Sequence, residues 1–251
     1  MQDKTLQQVA EWLRQAESAV AFTGAGISTE SGIPDFRSPG GIWSKAQPVM
    51  FQDYLASADA RLEYWRQKCR ACREFADAAP NRGHRVLAEW ERGGKLAGVI
   101  TQNIDGLHQM AGSRHVLELH GTARQIACLS CESRFDTMPY AEQFLADGVV
   151  PECPNCGGLL KHATVSFGQA LPGDVLEEAA QLARQCDLFL AMGSSLVVEP
   201  AASLPRLAQQ SGARLVIINR DPTGQDEPAD AVVHAAIGET LSAIDKLAAA
   251  G

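Results

Sequence analysis

Apolar residues Leu6, Val9, Ala10, Leu13 and Ala16 recur at helical spacing, so the chain is predicted to open with an amphipathic helix. A continuous apolar run, Val20-Ala21-Phe22, follows and reads as a buried strand. Similar runs lie at 97–101, 116–119, 188–192, 215–218 and 232–237, and helical stretches at 173–185, 201–210 and 239–250 separate or follow several of them. Strands without in-and-out alternation are buried on both faces. Their alternation with helices predicts an α/β fold with a doubly wound, parallel, Rossmann-like sheet. Two segments break the rhythm. Residues 38–83 are polar, aromatic and helical, and residues 122–161 carry cysteines with little strand–helix alternation. We therefore expect a nucleotide-binding sheet domain from 1–37, 84–121 and 162–251. The insertions 38–83 and 122–161 would form a smaller domain across a cleft. There is no internal repeat or low-complexity tract.

In open α/β sheets ligands bind beyond the carboxyl ends of the strands. The Val20 strand runs into Thr23-Gly24-Ala25-Gly26-Ile27-Ser28, whose two glycines would let the backbone approach a diphosphate and offer it N–H groups. A full G-x-G-x-x-G would need glycine at position 29. Thr29 stands there, which speaks against an ordinary dehydrogenase turn and leaves a plain glycine turn as the alternative. Residues 102–105, His120, residues 193–195 and Asn219 follow four more predicted strands. Helix caps or turns explain any one of them, but not their shared placement. His120 ends one strand and precedes Gly121, which suits a cleft. His84, His108, His115, His162 and His234 read as structural, with His108 capping or packing the helix after residues 101–105.

At 251 residues the chain can bury one domain, or one domain with a small insertion. Its 22 basic and 30 acidic residues give a net charge of −8, which excludes generic attraction to nucleic-acid phosphate and would welcome a basic protein substrate. No apolar stretch is long enough to cross a bilayer, and the first residues are polar and periodic. The expectation is a cytoplasmic protein with neither nucleic-acid nor membrane partners, and plausibly a monomer. Among seven cysteines, Cys128-x-x-Cys131 and Cys153-x-x-Cys156 have zinc-ribbon spacing and predict one structural Zn2+ per chain with no open position. A disulfide reading is poor without a secretion signal. Cys69-x-x-Cys72, inside the helical stretch 60–78, has no second pair and reads as a packing or surface feature. Cys186, opening a strand, reads as core.

The order of motifs is GAGISTESGIPDFRSPGGIW, then TQNIDGLH, His120-Gly121, the two cysteine pairs, Gly193-Ser194-Ser195 and Ile218-Asn219-Arg220-Asp221. It resembles the sirtuin family over residues 20–241. The resemblance implies an NAD-dependent protein-lysine deacylase in which NAD is consumed. The products would be nicotinamide, free lysine and O-acyl-ADP-ribose. It also implies that Gly24, Ala25, Gly26 and Thr29, with Asp35, Phe36 and Arg37, line the diphosphate and nicotinamide-ribose end. Gln102 would contact the ribose, Asn103 would position ribose and water, and Ile104 and Asp105 would form the nicotinamide pocket. Gly193, Ser194 and Ser195 would hold phosphate oxygens. Asn219, with Arg220 and Asp221, would meet the adenine ribose, and Thr240 the adenine edge. His120 would be the general base on a ribose hydroxyl.

The resemblance also implies an acyl-lysine peptide lying between Val165-Ser166-Phe167-Gly168-Gln169 and Leu196-Val197-Val198-Glu199, paired through main-chain groups. Val165 and Phe167 with Phe36 would give an apolar lysine channel, or equally plain core packing. Where many members read Arg-Pro-x-Val-Val-Phe-Phe-Gly-Glu, this chain has Lys161-His162-Ala163-Thr164-Val165-Ser166-Phe167-Gly168-Gln169. A Tyr-x-x-Arg pair grips acidic acyl groups in some members. Here Tyr64 is followed by Trp65, Arg66 and Gln67, so neutral acyl groups are expected over succinyl, with Arg66 the residue able to change that. Two alternatives are a mono-ADP-ribosyltransferase using the same cleft and a zinc-containing, NAD-sensing binding module.

Overall fold

A computed structural model describes residues 2–35 and 47–250. The elements are α1 (Gln2–Gln15), β1 (Ala19–Thr23), α2 (Phe51–Ala56), α3 (Ala58–Ala76), α4 (Arg82–Arg92), β2 (Leu96–Thr101), α5 (Leu107–Ala111), β3 (Val116–Glu118) and β4 (Gly121–Cys128). They continue with β5 (Arg134–Asp136), α6 (Thr137–Asp147), β6 (Leu160–Thr164), α7 (Gly173–Gln185), β7 (Leu188–Met192), α8 (Leu204–Gln210), β8 (Arg214–Ile218), β9 (Ala231–Val233) and α9 (Ile237–Ala249).

Six strands form one parallel sheet in the order β3-β2-β1-β7-β8-β9. Every residue of β1 and β7 is buried, because helices cover both faces. On one face Val9 and Leu13 of α1, Trp90 of α4 and Leu241 and Ile244 of α9 pack against the sheet. On the other, Ala179 and Ala183 of α7 and Leu204 and Ala208 of α8 do so with Phe22 and Phe189. Full burial of side chains of this kind contributes about 1.5–3 kcal/mol each. The strand order reverses between β1 and β7, which makes a topological switch point and hence a crevice at their carboxyl ends.

A second, antiparallel sheet has the order β5-β4-β6. It packs with α2, α3 and α6 around Tyr54, Tyr64, Trp65, Ile126, Phe144 and Leu160. The chain enters and leaves this unit within strands: β4 starts at Gly121, and β6 runs across residues 161 and 162.

Two elements differ from the periodicity. The apolar run 232–237 is not one strand: β9 stops at Val233 and Ile237 opens α9, so its continuity reflects burial of both elements. The stretch 201–210 begins as a 3-10 turn (Ala201–Ser203) before α8, whose first turn accommodates Pro205, a residue with no N–H to give a preceding turn. Among the described residues no helix is long and apolar enough to cross a membrane.

Candidate active site

A cavity of about 950 Å³ opens at the carboxyl ends of β1, β2, β7 and β8 and extends to α3 and β6. Its floor is made by two loops in backbone contact. Gly26 N donates to Gly193 O at 2.8 Å, and Gly193 N donates to Ile218 O at 3.0 Å. A Cβ at Gly24 would stand 2.7 Å from Gly193 O, and one at Gly26 2.6 Å from Gly193 Cα. Gly193 has φ 63°, and its own Cβ would meet Ile27 N at 2.5 Å. The sequence reading assigned the first two glycines to diphosphate approach. These distances show that they first allow one protein loop to touch another, and the segment after Gly24 is a 3-10 helix (Ala25–Ser31).

Behind that floor, Asn103 Nδ2 donates to Gly24 O at 3.1 Å and to Ser28 Oγ at 3.2 Å, which fixes the orientation of its amide. Ser28 Oγ donates to Asp105 Oδ2 at 2.7 Å, and Asp105 Oδ1 accepts from Leu107 N at 2.9 Å, closing the start of α5. Gln102 Nε2 donates to Ser194 Oγ at 2.8 Å, joining the ends of β2 and β7. Gln102, Asn103 and Ile104 border the cavity, whereas Asp105 lies behind them with both oxygens engaged.

His120 sits between β3 and β4 and borders the cavity. Its Nδ1 lies 3.0 Å from Gln102 O; a carbonyl only accepts, so Nδ1 carries the proton and Nε2 keeps its lone pair. Burial lowers its pKa below the ordinary imidazole value, partly opposed by that hydrogen bond, so the ring is neutral at pH 7. Its carbonyl accepts from Val165 N at 2.8 Å. Gly121, with φ 70°, must lack a side chain because a Cβ would strike Ala163 O at 2.0 Å.

The remaining expected nucleotide contacts converge. Ala25, Thr29 and Asp35 border the cavity from one loop, Ser194 and Ser195 from the second, and Asn219, Arg220 and Asp221 from the third. Phe36 and Arg37 lie outside the described residues. Thr240 does not border the cavity: it is buried in α9 with Oγ1 donating to Ala236 O at 2.7 Å, and Ala235, Ala236 and Ile237 form the wall there. Of the expected peptide contacts, Val165, Phe167, Gly168, Gln169 and Val198 border the cavity, and Val197, 60% exposed, does not.

Sequence reasoning missed one wall. Tyr64, Lys68 and Cys72 recur every four residues on α3 and all border the cavity, so the helical spacing itself was the available signal. Cys72 Sγ lies 3.4 Å from His162 Nε2, so the two buried residues pack against one another at this wall. Lys68 Nζ and Lys161 Nζ each lie 5.6 Å from the Tyr64 ring centroid. Burial lowers the Lys68 pKa and pushes that of His162 down to about 3. The Tyr64 hydroxyl, Thr164 Oγ1 and His162 Nδ1 are buried without hydrogen-bond partners. Arg66 instead faces Glu63 at 4.0 Å with over half its side chain exposed, so Lys68 and Arg70 are the α3 cations that border the cavity.

The four sulfurs of Cys128, Cys131, Cys153 and Cys156 lie within 4.8 Å of one another. Cys128 and Cys156 are 3.5 Å apart and Cys131 and Cys153 3.7 Å. A tetrahedron of ~2.3 Å Zn–S bonds has edges of about 3.8 Å, so the donor set fits Zn2+. It would hold β4 to the segment before β6. With Zn2+ bound, all four ligands would be cysteine thiolates, which would leave no position open for chemistry.

Comparison with known proteins agrees. The Sir2 family profile matches residues 24–200. An NAD-dependent protein deacetylase of Rhodopseudomonas palustris is 52% identical over 238 residues, covering 94% of each chain. One from Thermodesulfovibrio yellowstonii is 44% identical, covering 93% of this chain and 91% of its own. A solved structure of a Sir2–p53 peptide–NAD+ complex superposes with a TM-score of 0.87 at 36% identity, covering 97% of this chain and 98% of that one.

Proposed function

Since the chain belongs to the Sir2 family, we propose that it is an NAD-dependent protein-lysine deacylase working at the β1–β7 crevice, with His120 as its general base. The observation that carries this is a neutral imidazole that borders a cavity able to hold a dinucleotide and whose Nδ1 proton is committed to Gln102 O, leaving Nε2 its lone pair.

In the first step the acyl oxygen of the substrate lysine displaces nicotinamide at ribose C1′. A neutral amide oxygen is a weak nucleophile, so the site must orient the partners and exclude water. Asn103, whose amide nitrogen is spent on Gly24 and Ser28, holds ribose and water through Oδ1. His120 Nε2 then takes a ribose hydroxyl proton, the 2′ oxygen attacks the acyl carbon, and water releases free lysine and O-acyl-ADP-ribose. Ile104, backed by Asp105, forms the nicotinamide end, and Ser194 and Ser195 the phosphate end. Val165, Phe167 and Val198 flank the acyl-lysine. Zn2+ on the four cysteines is structural, and the protein works in the cytoplasm.

Incubating the protein with NAD and a panel of acyl-lysine peptides, and following nicotinamide and peptide mass, tests the reading. Equimolar nicotinamide and deacylated peptide are expected. ADP-ribosylated protein without O-acyl-ADP-ribose would overturn it in favour of ADP-ribosyl transfer.

A further inference from the structure

Beneath the cavity floor lies a buried polar chain that the proposed reaction leaves without a role. Thr23 and Thr101, the last residues of β1 and β2, are direct partners in the parallel ladder. Thr23 Oγ1 donates to Thr101 Oγ1 at 2.8 Å, and Thr101 Oγ1 accepts the backbone N–H of Asn103 at 3.0 Å. Having given away its only proton, Thr23 Oγ1 accepts from His108 Nε2 at 2.9 Å. His108 therefore carries its proton on Nε2, and it is 1% exposed.

The chain continues to His84, whose ring centroid is 4.8 Å from that of His108 at an interplanar angle of 63°. Asn81 N donates to His84 Nδ1 at 3.3 Å, so His84 holds its proton on Nε2. His84 Nε2 and His108 Nδ1 are both buried and unpartnered, one a donor and the other an acceptor. Asn81 Nδ2 also binds Ile27 O at 2.6 Å and Ser31 Oγ at 3.0 Å, tying the start of α4 to the loop that Asn103 grips.

We propose that His108, acting through Thr23 and Thr101, is a positioning residue that sets the height of Asn103 above the sheet and thereby the rate of the chemical step. This rests on the deacylase reading. A side chain that touches neither NAD nor peptide governs turnover because the Asn103 N–H is held by the Thr101 hydroxyl, between Gln102 N on Thr23 O at 2.9 Å and Ala123 N on Ile104 O at 2.8 Å. The Asn103 side-chain amide must reach a developing charge to within a fraction of an ångström. Replacing Thr101 by an apolar residue also strands the buried Asn103 N–H, which the loop can satisfy only by moving.

The test compares Thr101→Val with Thr101→Ser and His108→Leu with His108→Gln, reading kcat, peptide KM and Tm. The valine and leucine variants are expected to lose about tenfold or more in kcat with peptide KM nearly unchanged. Serine restores the hydroxyl and glutamine the N–H donor, and both should recover to within about threefold of wild type. The Thr101→Val/His108→Leu double variant should fall no further than its worse parent, because both cut one chain. Multiplicative losses, or a glutamine variant as slow as the leucine one, would overturn the relay in favour of simple ring packing. If His108→Leu does not fold, the near-isosteric Thr101→Val and Thr101→Ser decide alone, and equal rates overturn the proposal. A wild-type protein that releases no nicotinamide defeats the deacylase reading and the relay together. Active wild type with unaffected variants defeats the relay only.

Discussion

At His120 one hydrogen bond determines both tautomer and availability. Only the neutral ring can take a proton, and burial holds its pKa below the ordinary imidazole value. Activity should therefore persist through neutrality, with the acid limb of kcat/KM below about pH 6.5; a limb centred above that would point to another base. His120→Ala should cost about 10²–10⁴-fold in turnover while NAD still binds, measurable by calorimetry beside kinetics. On the α3 wall, the expectation that neutral acyl groups win rested on the absence of a cation, yet Lys68 borders the cavity. An acidic acyl group gains only if that ammonium meets it. Lys68→Met should then lower the succinyl-to-acetyl ratio of kcat/KM by about tenfold, and an unmoved ratio would place Lys68 away from the acyl end. His120, Asn103 and Gln102 were legible because strand ends announce themselves in sequence. Tyr64, Lys68 and Cys72 were only partly so: their four-residue spacing puts them on one helix face, but a mixed polar face does not say which side meets a cavity. Thr240 falls one turn short because the wall there is made by the residues before it.

Among the elements, the three-stranded sheet depends most on something outside its own packing. Its strands β4 and β6 are long enough to pair, but β5 has three residues and the turns around it are fastened by the four sulfurs. Chelation or Cys128→Ser should unfold this unit and abolish activity only by doing so. Zinc content, circular dichroism and rate should fall together; a metal-free protein with its transition and rate intact would exclude a structural metal. The cysteine spacing made the centre legible, whereas the pairing of β4 with β6, across residues distant in sequence, left no local pattern. The run 232–237 shows the same limit from the other side: apolar continuity marks burial and says nothing about where a strand yields to a helix.

For the whole molecule, the buried histidines tie stability to pH. Burial pushes His84 down to about 4 and His162 to about 3, and lowers His108 well below its ordinary value. Between those values and about 6.5 the unfolded chain binds more protons, so their contribution is complete above about 6.5 and is lost as pH falls through that window. Calorimetry should show Tm several degrees lower at pH 5 than at pH 7.5, at about 2–4 °C per kcal/mol for a chain of this size, and His84→Gln should flatten that slope. The sheet class was legible because its strands are apolar throughout; the path of the chain between the two sheets was not, because it passes within strands. The contact of Gly24 and Gly26 with Gly193 has a wider consequence. In a saturation-mutagenesis library these positions should reject even alanine, while Gly173 and Gly224, with open space around them, accept it. A descendant of this chain that had lost all use for NAD would still keep its glycine signature, since the signature records how two loops fit together and would outlive the chemistry they serve.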